Sequence, residues 1–262
     1  MTTVADIQKF IEAIAPPYMK ESWDNCGLLC GRKDKEVHKI LVALDPFRSV
    51  IEEAITIGAD LIVTHHPLIF RDPLMAVNED SEVGRCVLTL VEHGIAAINA
   101  HTNLDLAPGG VNDVLAATLG LENIAIINPM GGDVPYGLLR CGNVAEQPLE
   151  QFLSTVKERL HCEGLRYVNG GKPVRKVAVG GGSCADEMFD ALAAGCDTFV
   201  TSDIKYNQFR TAYELGLNLI DAGHFFTENP VMPVVTEKLR GAFSGVEIFF
   251  SENHTDCMKF FA

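Results

Sequence analysis

The chain has 262 residues, enough to bury a full hydrophobic core in one large domain or two smaller ones. Its 35 acidic residues against 21 basic ones give a formal net charge of −14, which opposes non-specific binding to nucleic acid or to anionic membranes. No apolar run approaches the roughly 20 residues of a membrane-spanning helix, no secretory signal is visible at the start, and eight scattered cysteines are typical of reduced thiols, so we expect a cytoplasmic protein.

Short β-branched runs alternate with helical patterns along most of the chain. In the first half the pattern predicts a strand over 39–44, a helix over 48–57, a strand over 60–64, a helix over 82–93, a strand over 96–99 and a helix over 111–119. A looser region from 128 to 172 follows, with a predicted strand over 136–142 and a helix over 149–160. Strands alternating with helices of about ten residues predict an α/β fold with mostly parallel sheets flanked by helices.

The second half of the chain repeats part of the first. Residues 39–64 align without a gap to residues 176–201 at an offset of 137, and both segments end in Gly-x-Asp-x-x-Val-Thr. Two unrelated βαβ units can converge on such a pattern, but the absence of gaps favours an internal duplication. We therefore predict two α/β domains, 1–127 and 128–262, that are related by duplication.

Polar side chains follow several predicted strands, beginning with the adjacent imidazoles of His65 and His66. Ligands bind beyond the carboxyl ends of strands in open α/β sheets, so the polar groups of both halves are expected in one cleft between the domains. Imidazole nitrogens and carboxylate oxygens suit zinc, iron, manganese and similar divalent ions, and a carboxylate can bridge two of them. A single histidine at a strand end is more often structural, but several donors at comparable positions favour a metal site. The predicted metal ligands are His65, His66, Asp105, His224 and Glu228.

Other residues leave more than one interpretation open. His101 could bind metal, orient a metal ligand or act as an acid in proton transfer. The turn Gly180–Gly182 could hold a phosphate at a helix start, but it lacks the rest of a P-loop, and a tight turn is favoured. Lys205 and Tyr206 could contact an anionic or aromatic substrate, or form the first turn of a helix. The remaining histidines are predicted to be surface groups: His38, His93, His161 and His254.

Four linked motifs resemble those of the Nif-three-like family, whose members are commonly named GTP cyclohydrolase 1 type 2 homologues. They are Trp23-Asp24-Asn25-Cys26-Gly27-Leu28, the stretch from Thr64 to Phe70, the stretch from His101 to Asp105, and the stretch from Asp221 to Glu228. The resemblance implies a two-domain α/β fold, a two-metal centre at the domain interface and a toroidal homohexamer. By motif match its ligands are the five residues given above, with His101 beside them. Asn207 departs from some relatives, which have a histidine there.

The sequence supports two hypotheses of function. The first is a metal-dependent hydrolase that acts on a nucleotide or a related small molecule, with two divalent ions per subunit and His101 handling protons. The second is a non-enzymatic, hexameric metal-binding scaffold or regulator that works through protein partners. Three nitrogen and two carboxylate donors suit several ions, so the residues leave the native metal open.

Overall fold

The computed structural model describes residues 1–70, 74 and 76–261. Strands and helices alternate through these residues, as the sequence pattern predicts. The strands are β1 (Gly27–Cys30), β2 (Lys39–Ala43), β3 (Leu61–Thr64), β4 (Ala96–Asn99), β5 (Glu122–Ile126), β6 (Arg140–Gln147), β7 (Arg166–Val168), β8 (Val174–Val179), β9 (Thr198–Thr201), β10 (Asn218–Asp221) and β11 (Glu247–Phe250). The α-helices are α1 (Val4–Ile14), α2 (Arg48–Ile57), α3 (Glu82–Glu92), α4 (Thr102–Leu106), α5 (Val111–Thr118), α6 (Leu149–Leu160), α7 (Met188–Ala193), α8 (Tyr206–Leu215), α9 (His224–Glu228) and α10 (Val231–Ala242).

The chain divides into two units, the first comprising residues 1–107 and 232–255 and the second comprising residues 108–231 and 256–262. This division differs from the predicted domains 1–127 and 128–262. The chain returns to the first unit near its end because β11 pairs in parallel with β2, which continues the first sheet. The local sequence pattern of a strand does not indicate which sheet the strand joins, so the sequence did not predict this return.

Among the described residues, no helix is long and apolar enough to cross a membrane.

The first unit contains a sheet of order β1-β4-β3-β2-β11. β11, β2, β3 and β4 run parallel, and β1 pairs with β4 in the antiparallel direction. Every residue of β3 and β4 is buried, as expected for parallel strands covered on both faces. α2 and α3 contribute Val50, Ile51 and Leu90 to the core against this sheet.

The second unit contains a sheet of order β5-β6-β8-β9-β10-β7. β8, β9 and β10 are parallel, whereas β5, β6 and β7 make antiparallel pairs. The expectation of mostly parallel sheets is therefore wrong for this unit, which is mixed. β6 follows β5 with no described helix between them, and antiparallel neighbours need no crossover helix. The strand predicted over 136–142 begins only at Arg140.

The two segments that align in sequence make the same local contacts. The Nζ atom of Lys39 donates to the carbonyl of Ile57 at 2.7 Å, and 137 positions later Lys176 donates to the carbonyl of Ala194 at 2.6 Å. The carboxylate of Asp60 accepts from the Lys39 amide at 3.1 Å, and the carboxylate of Asp197 accepts from the Lys176 amide at 2.9 Å. The lysine and the aspartate shared by the two segments thus make matching hydrogen bonds within the strand–helix–strand segment of each unit.

Candidate metal-binding residues

Four predicted site residues of the first unit lie together beyond the ends of two parallel strands. His65 and His66 directly follow β3, while His101 and Asp105 follow the neighbouring β4, with Asp105 on α4. The ring centroids of the three histidines are 4.9 Å, 5.3 Å and 5.5 Å apart, and one nitrogen from each ring could hold the same ion. We call His65, His66, His101 and Asp105 the first-unit cluster.

The tautomer of His65 follows from its buried hydrogen bond. Its side chain is fully buried, and its Nδ1 atom lies 2.8 Å from the carbonyl oxygen of Ala100. A carbonyl can only accept, so Nδ1 carries the proton and Nε2 of the neutral ring is an acceptor. That Nε2 atom lies 3.5 Å from Oδ1 of Asp105. Two buried acceptor atoms that face each other are stabilised by a shared cation or proton.

His66 is oriented by the carboxylate of Asp45, two residues beyond β2. The Nδ1 atom of His66 lies 2.6 Å from Oδ1 of Asp45, and Nε2 of His254 lies 2.8 Å from Oδ2 of the same carboxylate. Burial alone would raise the pKa of Asp45, but these two hydrogen bonds outweigh it and lower the pKa below its ordinary value. The ionised carboxylate accepts only, so it fixes the proton of His66 on Nδ1.

His101 is oriented in the same way by Asp24. Its Nδ1 atom lies 2.8 Å from Oδ1 of Asp24, whose other oxygen accepts from the Thr102 amide at 3.0 Å and from the Cys26 thiol at 3.0 Å. Burial opposes ionisation of Asp24, but the bonds from His101, Thr102 and Cys26 outweigh it and lower the pKa. Burial, with Asp24 beside it, raises the pKa of the Cys26 thiol to about 12. Cys26 is therefore a neutral donor to Asp24.

The second unit brings its two predicted ligands together on a short helix. Gly223, at φ 83°, turns the chain out of β10 into α9, where His224 and Glu228 lie four residues apart on one face. The Nε2 atom of His224 lies 3.0 Å from Oε2 of Glu228. Asp203 follows the parallel neighbour β9 and accepts from Nδ1 of His224 at 2.7 Å, although its φ of 54° is unfavourable for a residue other than glycine. We call Asp203, His224 and Glu228 the second-unit cluster.

The charge of His224 is set by these two carboxylates. Burial would lower the pKa of His224, but the hydrogen bonds and charges of Asp203 and Glu228 outweigh it and raise the pKa to about 11. Without an ion, the ring is therefore an imidazolium at neutral pH. A divalent cation that binds Nε2 must displace the proton shared with Glu228.

The glycine turn after β8, Gly180–Gly182, lies against the side chain of Glu228. The amide of Gly181 donates to the side chain of Asn112 at 2.7 Å, and the amide of Gly182 donates to Oγ1 of Thr227 at 3.0 Å. These amides are bound to protein acceptors, which favours the tight-turn interpretation over a phosphate site. A Cβ on Gly182 would lie 2.1 Å from Oε1 of Glu228.

Lys205 and Tyr206 lie at the start of a helix. Tyr206 is the first residue of α8, with its side chain largely exposed, and the amide of Lys205 bonds to the side chain of Gln208 at 2.7 Å. Both residues thus form the beginning of the helix, as one of the two interpretations predicts.

Sequence reasoning assigned no site role to four residues of this arrangement: Asp24, Asp45, Asp203 and His254. Asp45 follows a buried strand as His65 does, and that position was the available signal. The prediction that His254 is a surface group is wrong, because its side chain is only 4% exposed and bonds to Asp45. The other three histidines with this prediction are exposed: His38, His93 and His161.

Comparisons with known proteins agree on one family along nearly the whole chain. The family model described as Duf34/NIF3 (NGG1p interacting factor 3) matches residues 2–257. A Clostridium perfringens protein named GTP cyclohydrolase 1 type 2 homolog is 37% identical over 258 residues, which cover 97% of this chain and 98% of that protein. Among solved structures, a Bacillus cereus protein related to NIF3 has a TM-score of 0.93 at 27% identity, covering 100% of this chain and 99% of the other. A Staphylococcus aureus protein has a TM-score of 0.90 at 29% identity and 99% coverage of both chains.

Proposed function

We propose a metal-dependent function for this chain from the premise that it belongs to the Duf34/NIF3 family, which the match over residues 2–257 establishes. One structural observation carries the proposal. The Nδ1 atom of each candidate histidine lies within 2.8 Å of an oxygen acceptor, a carbonyl for one ring and a carboxylate for each of the other three. Histidine ligands of metals are typically held in this way, because the partner fixes the orientation of the ring and makes Nε2 a stronger electron-pair donor to the metal.

The donor set fits divalent metal ions. The first-unit cluster offers imidazole nitrogens with the carboxylate of Asp105, and the second-unit cluster offers His224 with Glu228. We propose that His65, His66, Asp105, His224 and Glu228 would hold two divalent ions, the three imidazoles as nitrogen donors and the two carboxylates as oxygen donors. Zinc, iron and manganese all suit such nitrogen and oxygen donors. This set is supported in two ways: the motifs of the family fall on these five residues, and the polar residues at the strand ends indicate the same five.

We further propose that the protein is a hydrolase that acts on a nucleotide or a related small molecule. Two bound divalent ions would lower the pKa of a coordinated water and stabilise the negative charge of a displacement step. Asp24 keeps the proton of His101 on Nδ1, so Nε2 can accept a proton from the attacking water and pass it to the leaving group of the substrate. The rings of Trp23 and Phe70 stand edge-on to His101 at 6.2 Å and 5.6 Å, and the side chain of His101 is only 13% exposed. The name of the Clostridium perfringens relative supports a nucleotide as the first substrate class to test.

The experiment measures metal content and turnover together. Protein loaded with Zn²⁺, Mn²⁺ or Fe²⁺ is incubated with nucleoside triphosphates, including GTP, and the products are separated by chromatography. We expect hydrolysis by the wild-type chain and none by His66→Ala or Asp105→Ala, each of which removes one metal ligand. Equal turnover by these variants would refute the proposed chemistry. Stoichiometric metal binding with no turnover of any nucleotide would instead favour the metal-binding scaffold.

The resemblance also leads us to propose a toroidal homohexamer. Light scattering of the purified protein should then give six times the chain mass of 28.5 kDa. A monomer or dimer at micromolar concentration would contradict this proposal while leaving metal binding to be decided by its own assay.

We propose that the two units arose by duplication of a strand–helix–strand segment. The matched contacts of Lys39 with Lys176, and of Asp60 with Asp197, support it, since each pair is separated by 137 positions and makes the same hydrogen bonds. Superposing the backbone of residues 39–64 on that of residues 176–201 tests it, because duplicated segments should overlap along their whole length, whereas an overlap confined to the strands would favour convergence.

A further inference from the structure

We infer that His254 is a positioning residue of the metal site, which holds His66 in its ligand geometry through the carboxylate of Asp45. The inference rests on the proposed metal binding and extends it to the C-terminal segment 251–255. It assigns a role to a histidine that lies 188 positions after its target and follows the last strand of the first sheet.

The contact geometry is that of one carboxylate shared by two imidazoles. Oδ1 of Asp45 lies 2.6 Å from Nδ1 of His66, and Oδ2 lies 2.8 Å from Nε2 of His254. The side chains of Asp45 and His254 are 13% and 4% exposed, so water competes little for either bond. Each oxygen of the Asp45 carboxylate thus accepts a hydrogen bond from a different ring, and together the two rings fix the plane of the carboxylate.

The backbone around His254 is fixed by contacts with the first unit. The Ser251 amide donates to the carbonyl of Val42 at 2.8 Å, which extends the pairing of β11 with β2. The carboxylate of Glu53 on α2 accepts from the Ser251 hydroxyl at 2.5 Å and from the amides of Glu252 and Asn253 at 3.1 Å and 3.3 Å. These bonds place residue 254 over Asp45.

The ring of His254 is also packed from the side. Phe47, two residues after Asp45, stands edge-on to it, with the ring centroids 5.9 Å apart. The contact limits rotation of the imidazole and keeps Nε2 directed at the carboxylate. The position of His254 is therefore determined by both its backbone and its side-chain contacts.

A carboxylate held on one side only can rotate, and its bond to a histidine ligand then no longer selects one tautomer or one ring orientation. Removing the direct partner of a metal-bound histidine typically weakens metal binding about 10–100-fold. His254 acts one bond further away, so we expect an effect at the lower end, about tenfold. A purely structural histidine would change the stability of the chain without changing the tautomer of His66.

The test compares two substitutions of similar volume. His254→Gln keeps an N–H donor for Asp45, whereas His254→Met fills the space without a donor. His38→Met is the matched control, because His38 is an exposed histidine whose ring is 3.6 Å from Glu36 and makes no described contact with Asp45 or His66. Zn²⁺ affinity is measured by competition with a chromophoric chelator, and the tautomer of His66 is read from ¹⁵N chemical shifts of the imidazole in metal-free protein.

We expect His254→Met to weaken Zn²⁺ binding about tenfold and to mix the two tautomers of His66. His254→Gln should restore most of both properties, and His38→Met should match the wild type. Unchanged affinity and an unchanged His66 tautomer in His254→Met would overturn the inference. If the wild type binds no Zn²⁺, the proposed metal function fails, and the tautomer measurement still decides whether His254 positions His66.

Discussion

An alanine at position 182 provides a sharp test of the second-unit cluster, because Gly182 lies against the carboxylate of Glu228. An alanine Cβ there would lie 2.1 Å from Oε1 of Glu228 and 3.2 Å from Nε2 of His224. Two atoms that are not bonded cannot lie this close, so the carboxylate would have to move. Glu228 is only 3% exposed, and the close packing around it leaves its carboxylate little room. We expect Gly182→Ala to push the carboxylate out of its position beside His224.

The size of the effect has two parts. The backbone at Gly182 has φ 64°, a left-handed conformation that costs a residue with a Cβ about 1–2 kcal/mol. The carboxylate must also shift by roughly 1 Å to reach ordinary contact, and we expect the loss of its position to weaken metal binding by about 100-fold, the upper end of the effect of disturbing the groups around a metal site. For metal affinity this corresponds to about 2.7 kcal/mol, at about 1.4 kcal/mol for each factor of ten.

Gly195→Ala separates the two parts. Gly195 has φ 78°, also left-handed, but a Cβ there would meet nothing within 4 Å. Urea unfolding in the presence of a chelator should show a loss of about 1–2 kcal/mol for Gly195→Ala and at least as much for Gly182→Ala. Calorimetric titration with Zn²⁺ should then show weakened binding for Gly182→Ala alone. Wild-type Zn²⁺ affinity and stoichiometry in folded Gly182→Ala would refute the assignment of Glu228 as a ligand.

Three further predictions concern both units. Asp24→Asn removes the anionic acceptor of His101, and we expect it to lower nucleotide hydrolysis about 10–100-fold in a steady-state assay while the protein stays folded by circular dichroism. Asp60→Ala and Asp197→Ala remove matched backbone hydrogen bonds, so each should cost about 1–3 kcal/mol in urea unfolding near neutral pH. Burial opposes ionisation of Asp60, but hydrogen bonds from the His38 amide and from Lys35 outweigh it and lower the pKa of Asp60 below 3.8. The stability that Asp60 contributes is therefore present above about pH 3.8 and is lost as the pH falls through the lowered pKa. A loss of stability in Asp60→Ala that stayed constant in acid would contradict this. Chelation should lower the melting temperature in differential scanning calorimetry, since free metal at 100 times its Kd stabilises the folded chain by about 2.7 kcal/mol.

Local pattern in the sequence was sufficient to predict several helices and strands of the fold. The helices over 48–57 and 149–160 and the strand over 96–99 have the predicted bounds, because amphipathic helices and buried β-branched strands have distinct periods. The two pairs of candidate ligands within the units were also predictable. His65 with His66 are neighbours in sequence, and His224 with Glu228 lie four apart on one helix, so their proximity is a consequence of local geometry.

The sequence by itself determined the element types, the donor chemistry and the strand ends at which the donors lie, since all three depend on residues close together along the chain. Only the tertiary structure decided which carboxylates hold the imidazoles. Asp24 lies 77 positions before His101, and Asp45 lies 209 positions before His254, and both contacts exist because pairing between distant strands brings these segments to one edge of a sheet. The hydrogen-bonding partner of a buried polar group is fixed by the register of those strands, and that register leaves no trace in the spacing of the residues it joins.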